Sequence, residues 1–199
     1  MAISEDSLGG RLPLLAPAAL DADQQKLYDA LLAKTVPWAN ESGFQAATAD
    51  GRVIGPFNAM LRSPRISQAM LALTNAEGEF TALSERVRQV VILTVGALWR
   101  ADYELYAHAA VGAQAGFDAA TVGALVAGQK PAALAADESL AYDIAHSLTA
   151  THQLAPALYA QAVATFGEKG VVDLIYLAGH YMIISGLLNT FAVPAPAAF

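Results

Sequence analysis

The segment TALSERVRQVVILTVGALW, residues 81–99, is the feature that most restricts the folds open to this chain. Ser84 is suited to cap a helix, and Glu85 in the first turn complements the partial positive charge of a helix N-terminus. The apolar run that follows is too short to span a bilayer, so it predicts a helix buried inside the protein. Long alternations of Val, Thr and Tyr, which would indicate strands, are missing from the sequence. We therefore expect an all-α fold.

Capping and breaking residues divide the rest of the chain into further helices. Asp21 is a suitable N-cap, Pro64 suits an early helical position, and Gly116 suits the residue that follows a helix. Residues 36–64 are rich in Gly, Pro, Asn and Asp, and are predicted to be irregular up to a short helix at residues 57–61. Besides that short helix, the pattern gives about eight helices, within residues 21–35, 63–80, 81–99, 101–116, 117–128, 136–153, 155–167 and 169–191, and a non-helical tail.

The charge balance excludes two classes of partner. The formal net charge is −7 and the sequence pI is about 4.9, and the 11 Lys and Arg residues are scattered along the chain. Nucleic acids and anionic membrane surfaces both require clustered basic residues. We therefore expect a small-molecule substrate as the partner, no nucleic acid and no membrane.

Cysteine content and the N-terminal sequence bear on redox chemistry and location. The sequence contains no cysteine, which excludes disulfides, thiol nucleophiles and cysteine metal ligands together. The opening MAISEDSLGG has neither the basic nor the apolar region of a signal peptide. The later stretch VVDLIYLAGHYMIISGLL contains Asp173 and His180, which would be costly in lipid. A cytoplasmic protein is the expectation.

The high apolar content predicts an oligomer. The mean hydropathy is +0.39 and charged residues make up only 15 %, which is little charge to cover the surface of a monomer of this size. Some apolar helix faces are therefore expected to be buried between subunits of a homo-oligomer. The length of 199 residues suits one domain, residues 1–199, in which residues 1–50 form an N-terminal helical and loop extension.

Glu104 and His108 form the most prominent polar pair. They lie four residues apart on a predicted helix and therefore share a face, where the carboxyl group can orient the imidazole. Such a pair can transfer a proton near neutral pH. It can equally be an ordinary exposed ion pair that contributes little to stability. The pair follows a predicted break at Arg100–Asp102, where free N–H groups favour anions.

The other polar residues allow similar alternatives. His180 interrupts a very apolar helix and is either a core residue or part of a site. Arg88 can hold a substrate carboxylate, or it can form a structural ion pair with a neighbouring acid. His146 and His152 are six residues apart and do not share a helical face. No metal site is predicted, because no HExxH or comparable pattern accompanies His108.

Two long segments resemble each other faintly. Residues 87–103, VRQVVILTVGALWRADY, and residues 170–186, GVVDLIYLAGHYMIISG, both run through apolar residues to a polar cluster. This pattern is consistent with duplication of a helical hairpin.

Residues 81–125 carry a family resemblance. The order LSxRxRQ, a long apolar helix, YExxxH and Gly116 resembles the core of the carboxymuconolactone decarboxylase family, which includes the alkylhydroperoxidase D-like proteins. The segments GPFNAMLRSP, YDIAHSLTATHQL and FGEKGVVDLIYLAGHYMIISGLLNTFAVPAP extend the resemblance over most of the chain from about residue 50. The resemblance implies an alkylhydroperoxidase D-like helical bundle without a cofactor, assembled into trimers or hexamers.

The peroxidase branch of that family uses a glutamate followed by CxxCxxxH. On this chain the histidine corresponds to His108, the cysteines to Ala101 and Glu104, and the glutamate to Gln89. Both thiols are therefore missing, and a dithiol hydroperoxidase or peroxiredoxin activity cannot operate.

The decarboxylase branch, linked with catabolism of aromatic compounds, keeps the histidine without cysteine. It implies a lyase acting on a carboxylated γ-lactone, with His108 as proton donor and Glu104 as its orienting partner. A non-catalytic oligomer that binds a small ligand is the alternative. The residues predicted to contact the substrate are Tyr103, Arg100, Gln89, Arg88, Phe57, Trp99 and His180.

Overall fold

The computed structural model describes residues 5–196, and the regular elements within that range are helices joined by turns and loops. Its helices are α1 Ala22–Ala30, α2 Val36–Ser42, α3 Pro56–Met60, α4 Pro64–Phe80, α5 Glu85–Trp99, α6 Asp102–Gln114, α7 Ala119–Val126, α8 Ala136–Thr151 and α9 Pro156–Thr190. Short 3₁₀ turns cover Glu5–Gly9 and Pro17–Ala19. The described residues contain no strand, only an isolated bridge between Ala47 and Val53. The all-α prediction is confirmed, although part of the predicted tail, residues 197–199, lies outside the described residues.

α1 continues into α2 through a π-helical turn, Leu31–Thr35. The Val36 N–H donates to the carbonyl of Leu31, five residues earlier, as a π turn requires. Pro37, which lacks an N–H and would interrupt a regular α-helix, follows directly. The prediction that residue 36 begins an irregular segment is therefore wrong for Val36–Ser42, because the wider turn lets the helix continue past the proline.

α5 is the central helix, and it packs against α6, α7, α8 and α9. Its N-terminus is capped as predicted, since the Ser84 hydroxyl accepts a hydrogen bond from the Val87 N–H at 3.3 Å. Val90, Val91 and Leu93 are completely buried. The prediction of a buried helix at this position is confirmed.

α6 turns back along α5 at the predicted break. Arg100 adopts a left-handed conformation (φ 54°), and the Ala101 N–H donates to the carbonyl of Gly96 at 3.0 Å. A side chain at Gly96 would meet the Glu104 side chain at 3.3 Å, so the glycine lets α6 approach α5 closely. The turn thereby brings the inner face of α6 against the centre of the molecule.

α9 is the longest helix and packs against α5 and α8. Gly167 has non-helical dihedral angles (φ 68°, ψ 171°), so the helix is broken where the sequence predicts an end. By length and composition α9 is also able to cross a membrane, but half of its most apolar stretch is buried inside the protein. A core helix has this same composition, so the finding is weak evidence for a membrane span.

Candidate active site

A cavity of about 410 Å³ lies between the central helices and the N-terminal part of the chain. We call its polar side the floor, formed by residues of α5, α6 and α9: Gln89, Glu104, His108, His180 and Tyr181. We call the opposite side the roof, formed by residues from the N-terminal part and α4: Lys34, Trp38, Phe44, Phe57 and Leu71. Its volume falls in the range of small-molecule sites.

The floor holds a hydrogen-bonded chain that fixes the tautomer of His108. Gln89 donates its amide N–H to the Glu85 carboxylate at 2.7 Å, so its amide oxygen is the atom that faces His108. This oxygen lies 2.8 Å from His108 Nδ1 and must accept a hydrogen bond from it. His108 therefore carries its proton on Nδ1, and its Nε2 keeps a free lone pair.

Glu104 lies beside that lone pair. Its Oε1 is 3.2 Å from His108 Nε2, and the two side chains are only 4 % and 7 % exposed. The atoms are close but not aligned, and Oε1 has no hydrogen-bond partner among residues 5–196. Burial raises the pKa of the Glu104 carboxyl from 4.5 to about 8. Glu104 is thus a neutral carboxylic acid at pH 7.

His108 is also uncharged at neutral pH. Burial, with smaller contributions from Arg88 and His180, lowers the pKa of His108 from 6.5 to about 3. An ion pair between His108 and Glu104 would require both groups to ionise in this buried position. The pair is consequently a neutral acid beside a neutral base, which is the arrangement suited to proton transfer.

Arg88 lines the cavity but is engaged in ion pairs. Its guanidinium lies 2.9 Å from Glu77 and 2.8 Å from Glu85. Of the two alternatives that the sequence allows for Arg88, the structure therefore favours a structural role, because two carboxylates already occupy its donors.

His180 and Tyr181 complete the floor from α9. The Tyr181 ring makes edge contacts with both imidazoles, at 5.0 Å from His108 and 5.3 Å from His180 between ring centroids. His180 Nε2 lies 3.3 Å from the Thr74 hydroxyl of α4. The floor therefore contains two histidines joined by one tyrosine.

Tyr103 supports the loop that closes the cavity. Its hydroxyl donates to the Gln45 carbonyl at 2.6 Å, so it is occupied by the protein. Gly55, with φ 63°, lies against the same ring, and a side chain at this position would come within 2.3 Å of it. Tyr103 lines the cavity as predicted, but its hydrogen-bonding group holds the loop.

Seven of the nine predicted site residues line the cavity, and the other two lie elsewhere. Arg100 is exposed at the turn between α5 and α6. Trp99 is 39 % exposed, and its ring lies next to Gly186 of α9. Neither residue lines the cavity: Trp99 is the last residue of α5 and faces α9, and Arg100 lies at the exposed left-handed turn that follows.

Several roof residues were not predicted from the sequence. Lys34 and Trp38 come from the π turn and α2, and Phe44 from the loop that follows. Trp38 lies 5.2 Å from Phe44 and 6.4 Å from His108 between ring centroids. The clearest signal in the sequence was the presence of two aromatic residues, Trp38 and Phe44, in an otherwise polar segment.

Solved structures share this architecture. A crystal structure of an uncharacterized peroxidase-related protein from Silicibacter sp. TM1040 is similar with a TM-score of 0.76 and 19 % identity, over 98 % of this chain and 96 % of that one. A second crystal structure, described as an alkylhydroperoxidase AhpD core from Ralstonia eutropha JMP134, has a TM-score of 0.73 and 15 % identity, over 95 % of this chain and 93 % of that one. The fold is alkylhydroperoxidase D-like. No family model and no curated protein matches the chain.

In this alkylhydroperoxidase D-like fold, the positions of the peroxidase motif are filled differently. Ala101 is completely buried at the start of α6 and carries no reactive group. Glu104 and Gln89 instead contact His108 from two sides. The site therefore holds a carboxyl group at one of the two thiol positions of that motif and no reactive group at the other.

Proposed function

We propose that this protein is a cofactor-free proton-transfer enzyme that decarboxylates a small carboxylated lactone or a related carbonyl acid. The observation that supports this most directly is the neutral Glu104 acid, 3.2 Å from the free lone pair of His108, in a largely apolar cavity. An acid that stays protonated at pH 7 can deliver a proton to a carbanion.

The reaction follows from the two sides of the cavity. The bond between the carboxylate carbon and the substrate breaks, its electron pair spreads onto the lactone carbonyl as an enolate, and CO₂ leaves. Glu104 then gives its proton to the carbanion carbon, and becomes a carboxylate. A proton from solvent restores the acid, so one proton is consumed for each CO₂ released. Apolar walls favour the loss of CO₂, because the localised charge of the carboxylate loses more solvation free energy in the cavity than the delocalised charge of the enolate does.

The electrostatics change the roles expected from the sequence. Since the pKa of His108 is lowered to about 3, His108 is not protonated near neutral pH and does not supply the proton. Glu104 is the donor in the proposed mechanism, His108 orients it, and a proton from solvent restores the acid after each turnover. Gln89 positions His108 by accepting from Nδ1.

Lys34 is the residue suited to hold the substrate carboxylate. It lines the roof, and the structure gives it no ion pair within residues 5–196. Arg88, in contrast, already has two carboxylate partners. A carboxylate near Lys34 would leave the carbonyl end of the substrate toward the floor.

Release of CO₂ from a panel of carboxylated γ-lactones tests the proposal. His108→Asn keeps a donor for Gln89 but removes the lone pair at Nε2, and we expect it to lower the rate by about 10²-fold or more. His146→Asn, on the exposed surface of α8, is the matched control and should retain full activity. An unchanged rate in His108→Asn would remove the pair from the mechanism. No release from any lactone would contradict the proposed reaction.

We also propose that the protein forms a homo-oligomer through an apolar patch on α4 and α9. The two helices are neighbours, because Thr81 and Ala82, just after α4, both bind Asp173 of α9. The exposed apolar residues that they present are Ile66, Leu73, Phe80, Val172, Ile175, Tyr176 and Ile183. Exposed apolar side chains on two neighbouring helices are typical of subunit interfaces.

Light scattering after size-exclusion chromatography measures the assembly. Ile183→Asp should reduce the mass to that of a smaller species, whereas a charge placed away from the patch, as in Leu32→Asp, should not. A monomeric wild-type protein would contradict this proposal.

A further inference from the structure

His180 has one ring nitrogen without a protein partner. The side chain is 8 % exposed and lines the same cavity as Glu104 and His108. Its Nε2 contacts Thr74, but Nδ1 is buried and has no hydrogen bond within the described part of the chain. Buried polar atoms nearly always have a partner, because leaving one unpaired costs free energy. Because His180 lines a cavity, a ligand in that cavity can supply the partner that Nδ1 lacks.

The contact with Thr74 decides which nitrogen of His180 carries the proton. The Thr74 hydroxyl donates its hydrogen to the carbonyl of Met70 at 3.0 Å, one helical turn earlier. The same oxygen must therefore accept from His180, so Nε2 carries the proton. Nδ1 is consequently an unprotonated base.

The other groups of the floor do not satisfy this base. His108 uses Nδ1 for Gln89 and presents Nε2 to Glu104. Oε1 of Glu104 is the other polar atom of the floor that is buried without a hydrogen bond in residues 5–196. The Tyr181 ring contacts both imidazoles, at 5.0 and 5.3 Å. Two residues that line one cavity thus hold a base, His180 Nδ1, and an acid, Glu104, and neither His180 Nδ1 nor Glu104 Oε1 has a hydrogen-bond partner within the described residues.

We propose that His180 and Glu104 act as a base and acid pair that interconverts the keto and enol forms of a small carbonyl compound. His180 Nδ1 takes a proton from the carbon next to the carbonyl, and the electron pair of that C–H bond forms a C=C bond. The carbonyl oxygen takes the proton of Glu104, which leaves a carboxylate beside an imidazolium and an enol. The reverse step returns a proton to the carbon, so no other reactant is needed.

This second activity rests on the neutral Glu104 of the proposed function but does not require loss of CO₂. The ligand class is a small ketone or lactone with a hydrogen on the carbon next to the carbonyl. Its apolar body would face Phe57, Leu71 and Ile184, which also line the cavity. A proton on that carbon is then exchangeable with solvent through His180.

Deuterium exchange tests the proposal on compounds that cannot lose CO₂. Cyclohexanone and γ-valerolactone are incubated with the protein in D₂O, and loss of the proton signal next to the carbonyl is followed by NMR. His180→Gln keeps a polar group near Thr74 but removes the base, and His180→Asn keeps an acceptor near the position of Nδ1 without its basicity. Both should slow the enzyme-dependent exchange by about 10²-fold or more, whereas His146→Asn should not change it.

A second measurement needs no substitution. The ¹⁵N chemical shifts of His180 in the wild-type protein report its tautomer, and we expect a protonated Nε2 and an unprotonated Nδ1. A protonated Nδ1 would overturn the proposal. Exchange as fast in both His180 variants as in the wild type, or no exchange of either compound by the wild type, would also overturn it.

The two proposals fail separately. Release of CO₂ from carboxylated lactones without any deuterium exchange would keep the decarboxylase and overturn the role of His180. Exchange that depends on His180, without release of CO₂, would support the acid–base pair and contradict the decarboxylase.

Discussion

The floor and the roof of the cavity are built in opposite ways. Floor residues lie on helices of the central core, and Glu104 and His180 are 3 % and 8 % exposed. Two roof residues, Lys34 and Trp38, lie on a helix that contains a π turn, and Trp38 is 42 % exposed. π turns often occur at functional sites, and segments with few buried contacts open most easily. We therefore expect the core residues to set the proposed chemistry and the roof residues to determine which molecule enters.

Glu104→Gln should have the largest effect, because the comparison places the chemistry on the floor. Gln keeps the shape of the protonated carboxyl but has no acidic proton, so we expect a decrease in kcat of about 10²- to 10⁴-fold with little change in KM. Steady-state CO₂ release measures both constants. A change of this size in KM with kcat unchanged would assign Glu104 to substrate binding and contradict the proposed role.

The rate should also depend on the protonation of Glu104. Because burial raises its pKa to about 8, the acid form predominates at pH 7 and is lost above pH 8. We therefore expect kcat to be nearly constant from pH 6 to 7 and to fall about tenfold for each pH unit well above the pKa. A profile that rises through pH 8 would show that the carboxylate is the active form.

The stability of the protein should reflect the same group. Between pH 4.5 and about 8 the carboxyl ionises in the unfolded chain but stays protonated in the folded one, so its contribution is complete below pH 4.5 and is lost as the pH rises to 8. Glu104→Gln cannot ionise, so it does not lose this stability as the pH rises. Its free energy of unfolding should therefore rise relative to that of the wild type by a few kcal/mol, at about 1.4 kcal/mol for each unit of pKa difference. Urea unfolding at pH 5, 7 and 9 measures the difference.

Glu79→Gln, at an exposed position of α4, is the control for this experiment. It should follow the wild type at all three values of pH. If the Glu104→Gln and wild-type curves stay parallel from pH 5 to 9, Glu104 is not a buried neutral acid.

The floor could be predicted from the sequence because its determinants are local. The spacing of Glu104 and His108 needs only a helix to put them on one face, and Ser84 marks where the preceding helix begins. The partnership of His108 with Gln89 and of His180 with Thr74 depends on how separate helices pack, which spacing does not contain. Electrostatics were also misjudged, since burial makes Glu104 the stronger candidate for proton donor.

Apart from Phe57, the roof could not be predicted, for a different physical reason. Pro37 within residues 36–64 indicates an irregular segment, because proline interrupts the hydrogen bonds of an α-helix. A π turn that absorbs the proline has no simple periodic signature, so α2 and its contribution to the cavity were missed. Trp99 and Arg100 lie outside the cavity because Trp99 ends α5 on the side that faces α9 and Arg100 forms the exposed left-handed turn, and the sequence does not show which side of α5 faces the cavity.

Lys34→Gln should have a smaller effect that is specific to charged substrates. An exposed charge pair contributes up to about 1 kcal/mol, so we expect KM for carboxylated lactones to rise up to about fivefold while kcat stays within about twofold. Added salt should raise KM of the wild type toward that of the variant. Lys26→Gln, on the same helix but paired with Asp23, is the matched control and should leave KM unchanged.

An increase in KM for uncharged lactones as well would contradict this role. Lys34 would then support the shape of the roof rather than hold a carboxylate. Equal kinetics in Lys34→Gln and the wild type would place the substrate carboxylate elsewhere.

The smallest expected effect is optical, and it separates the roof from the outer surface. The protein has two tryptophans, of which Trp38 lines the cavity and Trp99 does not. A ligand that enters beside Trp38 displaces water from the indole ring. The fluorescence intensity of Trp38 should then change by roughly a tenth to a third, and its emission should shift to shorter wavelength, because fewer water molecules stabilise the excited state. Titration of Trp99→Phe with γ-valerolactone should keep this change, and titration of Trp38→Phe should abolish it. A signal that follows Trp99 instead would move the binding site away from the roof and remove the basis of the comparison.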